Sequence, residues 1–207
     1  IRIAATEYTP YYDMLRLLQR KYSLVDSHAE NHFFPSVQDY VKTDDSVRNL
    51  VMLSNPCNPT GVTRSGNELK ALVEKASYGS FGLLIDEAYE LFHEPPATAL
   101  GYIEDINRSN LFISGAATKG LQAPGIRIGW VVAAKHYIEI LGNFSSFGMG
   151  GVSRPSQLYA LELLQQERTD LAHKAIPEFY ASQRQRYGDA FADLGLDLFS
   201  GDGGFYH

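Results

Sequence analysis

A lysine and an arginine either side of a turn form the segment with the clearest chemical potential. Ser114-Gly-Ala-Ala-Thr-Lys119-Gly-Leu-Gln-Ala-Pro-Gly125-Ile-Arg127-Ile-Gly-Trp130 follows one short apolar run and leads into another. Lys119 therefore falls at the end of a predicted buried strand, among small residues rather than in a polar surface setting. An amine so placed can attack a carbonyl carbon and form a Schiff base. Arg127 follows a Pro-Gly turn, and a guanidinium grips a phosphate through two parallel hydrogen bonds. The pair suits a ligand that carries both a carbonyl and a phosphate. The competing reading is a strand-end lysine with a structural arginine nearby.

Two further segments bear on that choice. Asn55-Pro-Cys-Asn58-Pro59-Thr-Gly61 ends the apolar run Leu50 to Ser54. Asp86-Glu-Ala-Tyr89-Glu-Leu-Phe92 ends a second run, Leu83 to Ile85. The three motifs, in this order, resemble fold-type I enzymes that use pyridoxal 5'-phosphate (PLP), specifically class I/II aminotransferases. Each motif alone is weak to suggestive. Together and in order they are specific, and the resemblance covers nearly the whole chain.

The resemblance implies a role for each matching residue. Lys119 carries the Schiff base and, once freed by substrate, shuttles a proton. Asp86 partners the pyridine nitrogen and keeps it protonated. Asn58 and Tyr89 donate to the phenolic oxygen, and Asn58–Pro59 is implied to be a cis bond. Arg127 and Thr118 contact the phosphate. Many relatives carry a hydroxyl three residues before the lysine, where this chain has Ala116. That contact is either missing or supplied by Ser114. Tyr8 is the candidate for the aromatic stacked on the ring, with Thr9 as the alternative if the alignment shifts by one residue. Read without the resemblance, Asp86 is a strand-end acid, Asn58 a turn residue and Tyr8 a core aromatic. Glu87 is expected to point away from the site.

Other candidates read as structural. Cys57, the one cysteine, has no His or basic cluster beside it in sequence and reads as a turn residue. His28, His32 and His93 lack ligand spacing, read as surface or loop residues, and suggest no metal site. Arg154 opens a long helix in a region that approaches the partner subunit's site in relatives; otherwise it is a loop arginine. Phe144 to Arg154 is aromatic and glycine-rich, and is expected between helices. Such a segment needs cover from another domain or a second copy. A homodimer is the expected assembly.

Apolar runs must position these residues. Strands are expected at Tyr22–Asp26, Leu50–Ser54, Phe81–Ile85, Asn110–Ser114, Gly129–Ala133 and Leu196–Phe199. Helices are expected over Tyr12–Lys21, Ser36–Val41, from Thr63 to about Ser77, Ala134–Gly142, Pro155–Gln165 and, after a break near Asp170, through Pro177 to Leu194. Asp44–Asp45 reads as a polar break. Ser65 with Glu68 three residues on is a capping-box pattern. Runs without alternation, interspersed with helices, indicate an α/β fold with a mainly parallel sheet covered on both faces. The resemblance makes this the three-layer α/β/α large domain of the PLP-dependent transferases, at residues 1–168. Residues 169–207 are then a connecting helix and the start of a small α+β domain.

Composition bounds the rest. A net charge of −6 leaves no basic footprint for nucleic acid. No apolar run is long enough to span a membrane. A single cysteine precludes an internal disulfide and suits a reducing compartment, so a cytoplasmic protein is expected. Ile1 and His207 fall partway through the resembled fold, so the chain reads as a fragment. The glycine-rich phosphate loop is expected before it and the carboxylate-binding arginine after it. The expected reaction moves an amino group from an amino acid to a 2-oxo acid. Alternatives are a lyase, synthase or oxidase on the same scaffold, or a non-catalytic regulator.

Overall fold

Residues 50–54 are apolar on both faces, and the fold uses them as an interior strand in which Val51, Met52, Leu53 and Ser54 are all buried. A strand with neighbours on both edges and cover above and below leaves no face to water. The computed structural model describes residues 1–41, 49–79 and 81–206. The expected break at Asp44–Asp45 lies outside them. Along the chain the regular elements are β1 (Arg2–Ala4), α1 (Thr9–Leu17), β2 (Ser23–Val25), α2 (Val37–Tyr40), β3 (Leu50–Ser54) and α3 (Gly66–Tyr78). There follow β4 (Gly82–Asp86), β5 (Leu111–Ala116), β6 (Gly129–Ala133), α4 (Lys135–Gly148), α5 (Arg154–Leu163) and α6 (Gln166–Asp193).

The strands form one sheet in the order β2-β1-β3-β4-β5-β6. Every pairing is parallel except β5 with β6. The fold is thus α/β with a mainly parallel sheet, as expected. From β1 the chain first steps to β2 on one side, then crosses to β3 on the other. This reversal opens a crevice at the carboxyl ends of β1 and β3, where ligands bind in open α/β sheets.

Helix α3 shows why the sheet is stable. Leu69, Leu72, Val73 and Ala76 follow the i, i+3, i+4, i+7 spacing of one helical face. All four are fully buried, against Val51, Leu53, Leu83, Ile85, Leu111 and Ile113 of the strands. Removing one such leucine side chain costs about 2–5 kcal/mol. A second cluster, Tyr89, Leu91, Phe92 and Ile176, ties the segment after β4 to α6. Helix α4, by contrast, buries none of its residues.

Several expectations need correction. Ser65 does occupy the N-cap of α3, but its side chain makes no cap hydrogen bond. Gly66, with φ +53, turns the first peptide out of helical line. The break expected near Asp170 is absent, because α6 runs unbroken from Gln166. Its first turns are braced by Gln166 Nε2 donating to Asp170 Oδ1 at 2.6 Å and by Thr169 Oγ1 donating to the Gln166 carbonyl at 2.9 Å. Pro177 lies within α6 and is buried. Leu196–Phe199 is not a strand. Phe199 instead packs edge-on against Phe33, with ring centroids 4.8 Å apart. Phe144–Gly148 belongs to α4, so only Met149–Ser153 lies between helices.

Candidate active site

Three strand ends converge on one cavity. Ser54 closes β3, Asp86 closes β4, and Ala116 closes β5 just before Thr118 and Lys119. With Tyr8, Tyr11, Asn58, Ala88, Tyr89, Arg127, Phe205 and Tyr206 they line a hollow of about 350 Å³. All the expected site residues except Ser114 meet here. A larger hollow, of about 640 Å³, opens between α6 and the His93 loop. Its walls come from one helix and two loops rather than from strand ends.

Lys119 enters between two aromatic faces. Its Nζ lies 5.6 Å from the Tyr89 ring centroid and 5.3 Å from that of Phe205. Both are within cation–π range. Asp86 accepts from the Ala88 amide at 3.0 Å on Oδ1 and from the Tyr11 hydroxyl on Oδ2. Burial, then the charge of Asp86, drives the Tyr11 phenol far above its usual range, so it is a neutral donor. Two donors leave lone pairs free on the carboxylate for a third.

The Asn58 loop is held from behind. Asn55 is fully buried and bridges the two sides of the loop. Its Nδ2 donates to the carbonyls of Arg64 at 3.0 Å and Ala97 at 3.2 Å, while its Oδ1 accepts from the Arg64 amide at 2.7 Å. Asn58–Pro59 is cis, as the resemblance implied, and so is Asn55–Pro56. Cys57 is unpaired. Burial, then the nearby Glu7 charge, pushes its thiol up to about 12, which fits a structural turn residue.

Arg127 adopts a left-handed backbone, with φ +54. Its Nη1 donates to the Pro124 carbonyl at 2.9 Å, and the remaining guanidinium donors are available to a ligand. Tyr8 lines the cavity, is 40% exposed and meets the Tyr11 ring at right angles, with centroids 5.2 Å apart. Glu87 turns away, accepting from Thr98 Oγ1 and the Ala99 amide, both at 2.7 Å.

Ser114 is not brought in. It pairs in register with Asp86, one pleat back from Ala116, and the lining passes to Ala116 and Thr118 instead. Arg154 is exposed at the start of α5. His93 is not a surface residue. Its side chain is 15% exposed, and Nε2 faces Asp202 Oδ2 at 3.4 Å. Its pKa is raised, chiefly by the hydrogen bond to Asp202. Among the described residues no His, Cys, Asp and Glu group could hold a metal.

Sequence reasoning gives Tyr11 no role of its own in the site, and it missed Phe205 and Tyr206. Tyr11 lies three residues after Tyr8 on the first turn of α1, which reads as a turn rich in aromatics. Phe205 and Tyr206 arrive through close glycine packing. The Gly203 amide donates to the Gly61 carbonyl at 2.8 Å, and a Cβ on Gly201 would lie 2.1 Å from the Gly61 carbonyl carbon. Asp202 Oδ1 accepts from the Thr63 amide at 3.1 Å, and Arg184 donates to the carbonyls of Asp202 and Gly204. Tyr206 then meets Tyr89, hydroxyl to hydroxyl, at 2.5 Å.

Comparison with known proteins agrees with this geometry. The family model for aminotransferase class I and II matches residues 1–207. The chloroplastic LL-diaminopimelate aminotransferase of Arabidopsis thaliana is 28% identical over 190 residues, covering 83% of this chain and 38% of that protein. A probable aspartate/prephenate aminotransferase of Thermus aquaticus is 26% identical over 206 residues, covering 99% of this chain and 53% of that one. The solved structure of Thermus thermophilus aspartate aminotransferase with maleate superposes with a TM-score of 0.85 at 23% identity, covering 98% of this chain and 53% of that one. The chain thus spans about half or less of the length of these relatives. A match along its whole length, on a fold that gathers the three motifs at one set of strand ends, means that the chain belongs to the class I and II aminotransferase family, which depends on pyridoxal phosphate.

Proposed function

We propose that this chain is the cofactor-binding part of an aminotransferase that moves an amino group from an amino acid to a 2-oxo acid. The observation that carries this reading is the meeting of Lys119, Asp86 and Arg127 around one cavity at the strand ends. The donor set fits pyridoxal phosphate. Lys119 offers an amine for the aldehyde, Asp86 an anion for the ring nitrogen, and Asn58 and Tyr89 donors for the phenolic oxygen. Arg127 and Thr118 offer a charged fork and a hydroxyl for the phosphate. Ser114 has no part in it.

When bound, the cofactor supplies an electron sink for the pair released at the substrate α-carbon. The protein's own residues do the rest. Asp86, fixed by Tyr11 and Ala88, holds a negative charge at the end of β4. Lys119 Nζ carries a proton to and from the reacting carbon. Phe205 and Tyr206 wall the cavity beside it and limit water there. Tyr8, an aromatic ring lining the cavity, is the candidate for stacking on the cofactor ring.

Residues 1–168 form the large domain in this reading, and 169–207 lead into a smaller one. A homodimer is supported by the exposed apolar residues Ile140, Phe144, Phe147 and Met149 on and after α4. Arg154, a few residues on, is then placed toward the partner's cavity. Among the described residues no helix is long and apolar enough to cross a membrane. A reducing compartment such as the cytoplasm is supported by the single unpaired cysteine.

Borohydride treatment of the PLP-loaded protein, followed by peptide mapping, tests the site. The expected adduct is on Lys119, and an adduct on another lysine overturns the assignment. Incubation with amino acids and 2-oxoglutarate tests the reaction: a new amino acid supports transfer, whereas ammonia release supports elimination or oxidation.

A further inference from the structure

One buried acid behind the cavity wall has no role in the chemistry above. Glu7 follows β1 and is only 3% exposed. It lies at the sheet's reversal, between the carboxyl ends of β1 and β3. Its carboxylate gathers three N–H and O–H donors, besides the longer contact from the Cys57 thiol at 3.9 Å. The Ser54 amide donates to Oε2 at 3.1 Å, the Ser54 hydroxyl donates to Oε1, and the Tyr8 amide donates to Oε1 at 3.1 Å. With its proton committed to Glu7, Ser54 Oγ turns a lone pair outward and accepts from the Asn58 amide at 2.9 Å. Glu7 thus joins, by one or two hydrogen bonds, the stacking candidate Tyr8 and the phenolate-donor candidate Asn58.

Resting on the proposed function, we infer that Glu7 is a positioning residue whose charge state sets how firmly Tyr8 and Asn58 are held for the cofactor. A carboxylate accepts all three donors. A neutral carboxyl has one oxygen bearing a proton, and its hydrogen bonds are roughly half as strong. Ionised Glu7 therefore tightens the crevice, and protonated Glu7 loosens it.

The surroundings make this switch accessible. Burial dominates and lifts the Glu7 carboxyl to about 7, against the hydrogen bonds from Ser54 and Tyr8, with Asp86 adding to the rise. The groups facing it are acidic or neutral. They are Asp86 at the end of β4, Cys57 with Sγ at 3.9 Å, Tyr8, Tyr11 and Tyr12 on or beside α1, and Tyr40 of α2. The buried guanidinium of Arg64 lies over the Phe34 ring at 4.0 Å and donates to the Pro35 carbonyl instead.

The test compares the full chain with its Glu7→Gln variant. PLP dissociation constants are measured by equilibrium dialysis from pH 5.5 to 8.5, with the absorbance spectrum of bound PLP recorded at each pH. Taking the ratio of variant to wild-type Kd cancels the pH dependence that the two proteins share. The ratio is expected to rise about tenfold through a midpoint near pH 7, as one charge-assisted contact is worth about that factor. A ratio that stays flat with pH overturns the role of Glu7. Borohydride trapping on Lys119 in both proteins keeps that outcome distinct from a failure of the PLP reading, in which no Lys119 adduct forms at all. If Glu7→Gln does not fold, Ser54→Ala replaces it. That variant keeps the acid and removes the relay to Asn58, and an unchanged Kd and spectrum across the pH range would equally sink the proposal.

Discussion

The Tyr11 hydroxyl donates to Asp86 Oδ2 and so ties the first turn of α1 to the end of β4. The bond joins two residues 75 positions apart in sequence, and it fixes the acid that the proposed chemistry needs most. Tyr11→Phe removes one donor to a charged acceptor and leaves the ring packed against Tyr8. Hydrogen bonds to charged groups contribute about 1.5–3 kcal/mol. Turnover is expected to fall about 10- to 100-fold with an unchanged circular dichroism spectrum. Wild-type kcat in this variant would remove Tyr11 from the mechanism.

Arg127 and Lys119 should separate affinity from chemistry. Arg127→Ala loses a charged contact to the phosphate, so the Kd for PLP should rise about 10- to 100-fold. Lys119→Ala should retain part of the binding and lose turnover altogether. Equilibrium dialysis and a steady-state assay on the two variants check the split, and a Lys119→Ala enzyme that still turns over would refute it.

Glu87 makes stability depend on pH in a calculable direction. Burial, opposed by the bonds from Ala99 and Thr98, raises its folded-state pKa from 4.5 to about 7. The folded chain therefore binds more protons than the unfolded chain between those values. Stability falls as pH rises through that window, by about 3 kcal/mol for this group. Glu87→Gln removes the effect. The variant should gain thermal stability relative to wild type as pH goes from 5 to 8, and a constant difference in melting temperature across that range would count against the assignment.

Phe147 is 94% exposed on the last turn of α4, with Phe144 at 66% beside it. Replacing both with Asp places two charges on the face assigned to the dimer. Sedimentation velocity should show the wild type as a dimer and the variant as a folded monomer. An unchanged sedimentation coefficient would move the interface elsewhere.

Gly201→Ala should damage the cavity from a distance. A Cβ there would collide with the backbone of Gly61, and neither partner is a flexible side chain. Overpacking of this kind costs about 1–3 kcal/mol. A lower urea midpoint and weaker PLP binding are expected together, because Phe205 and Tyr206 follow the same strand of chain.

What the sequence disclosed, and what it hid, follows from how far each signal reaches. Asp86 ends an uninterrupted apolar run and Lys119 follows one across a few small residues, so burial and position can both be read locally. Arg127 and Asn58 stand in short turn motifs with fixed offsets. Ser114 shares a face of β5 with Ala116 but lies two residues short of the strand end, and the sequence does not show how far along a strand the cavity reaches. Tyr206 could not be found this way, as its partner Tyr89 lies 117 positions earlier. The Leu196–Phe199 pattern alternates like a strand, yet alternation alone does not supply a neighbour to pair with. Glu7 carries no local signal, because Ser54, one of its partners, lies 47 positions away in sequence.

The glycine strap that carries Phe205 and Tyr206 across Gly61 makes the cavity a joint product of segments far apart in the sequence. Tyr8 and Tyr206 line the same hollow from opposite termini of the described residues. A chain in which either segment is unfolded lacks part of the cavity wall. A ligand held by both walls draws its binding energy only from the completed fold, and by mass action returns it as stability.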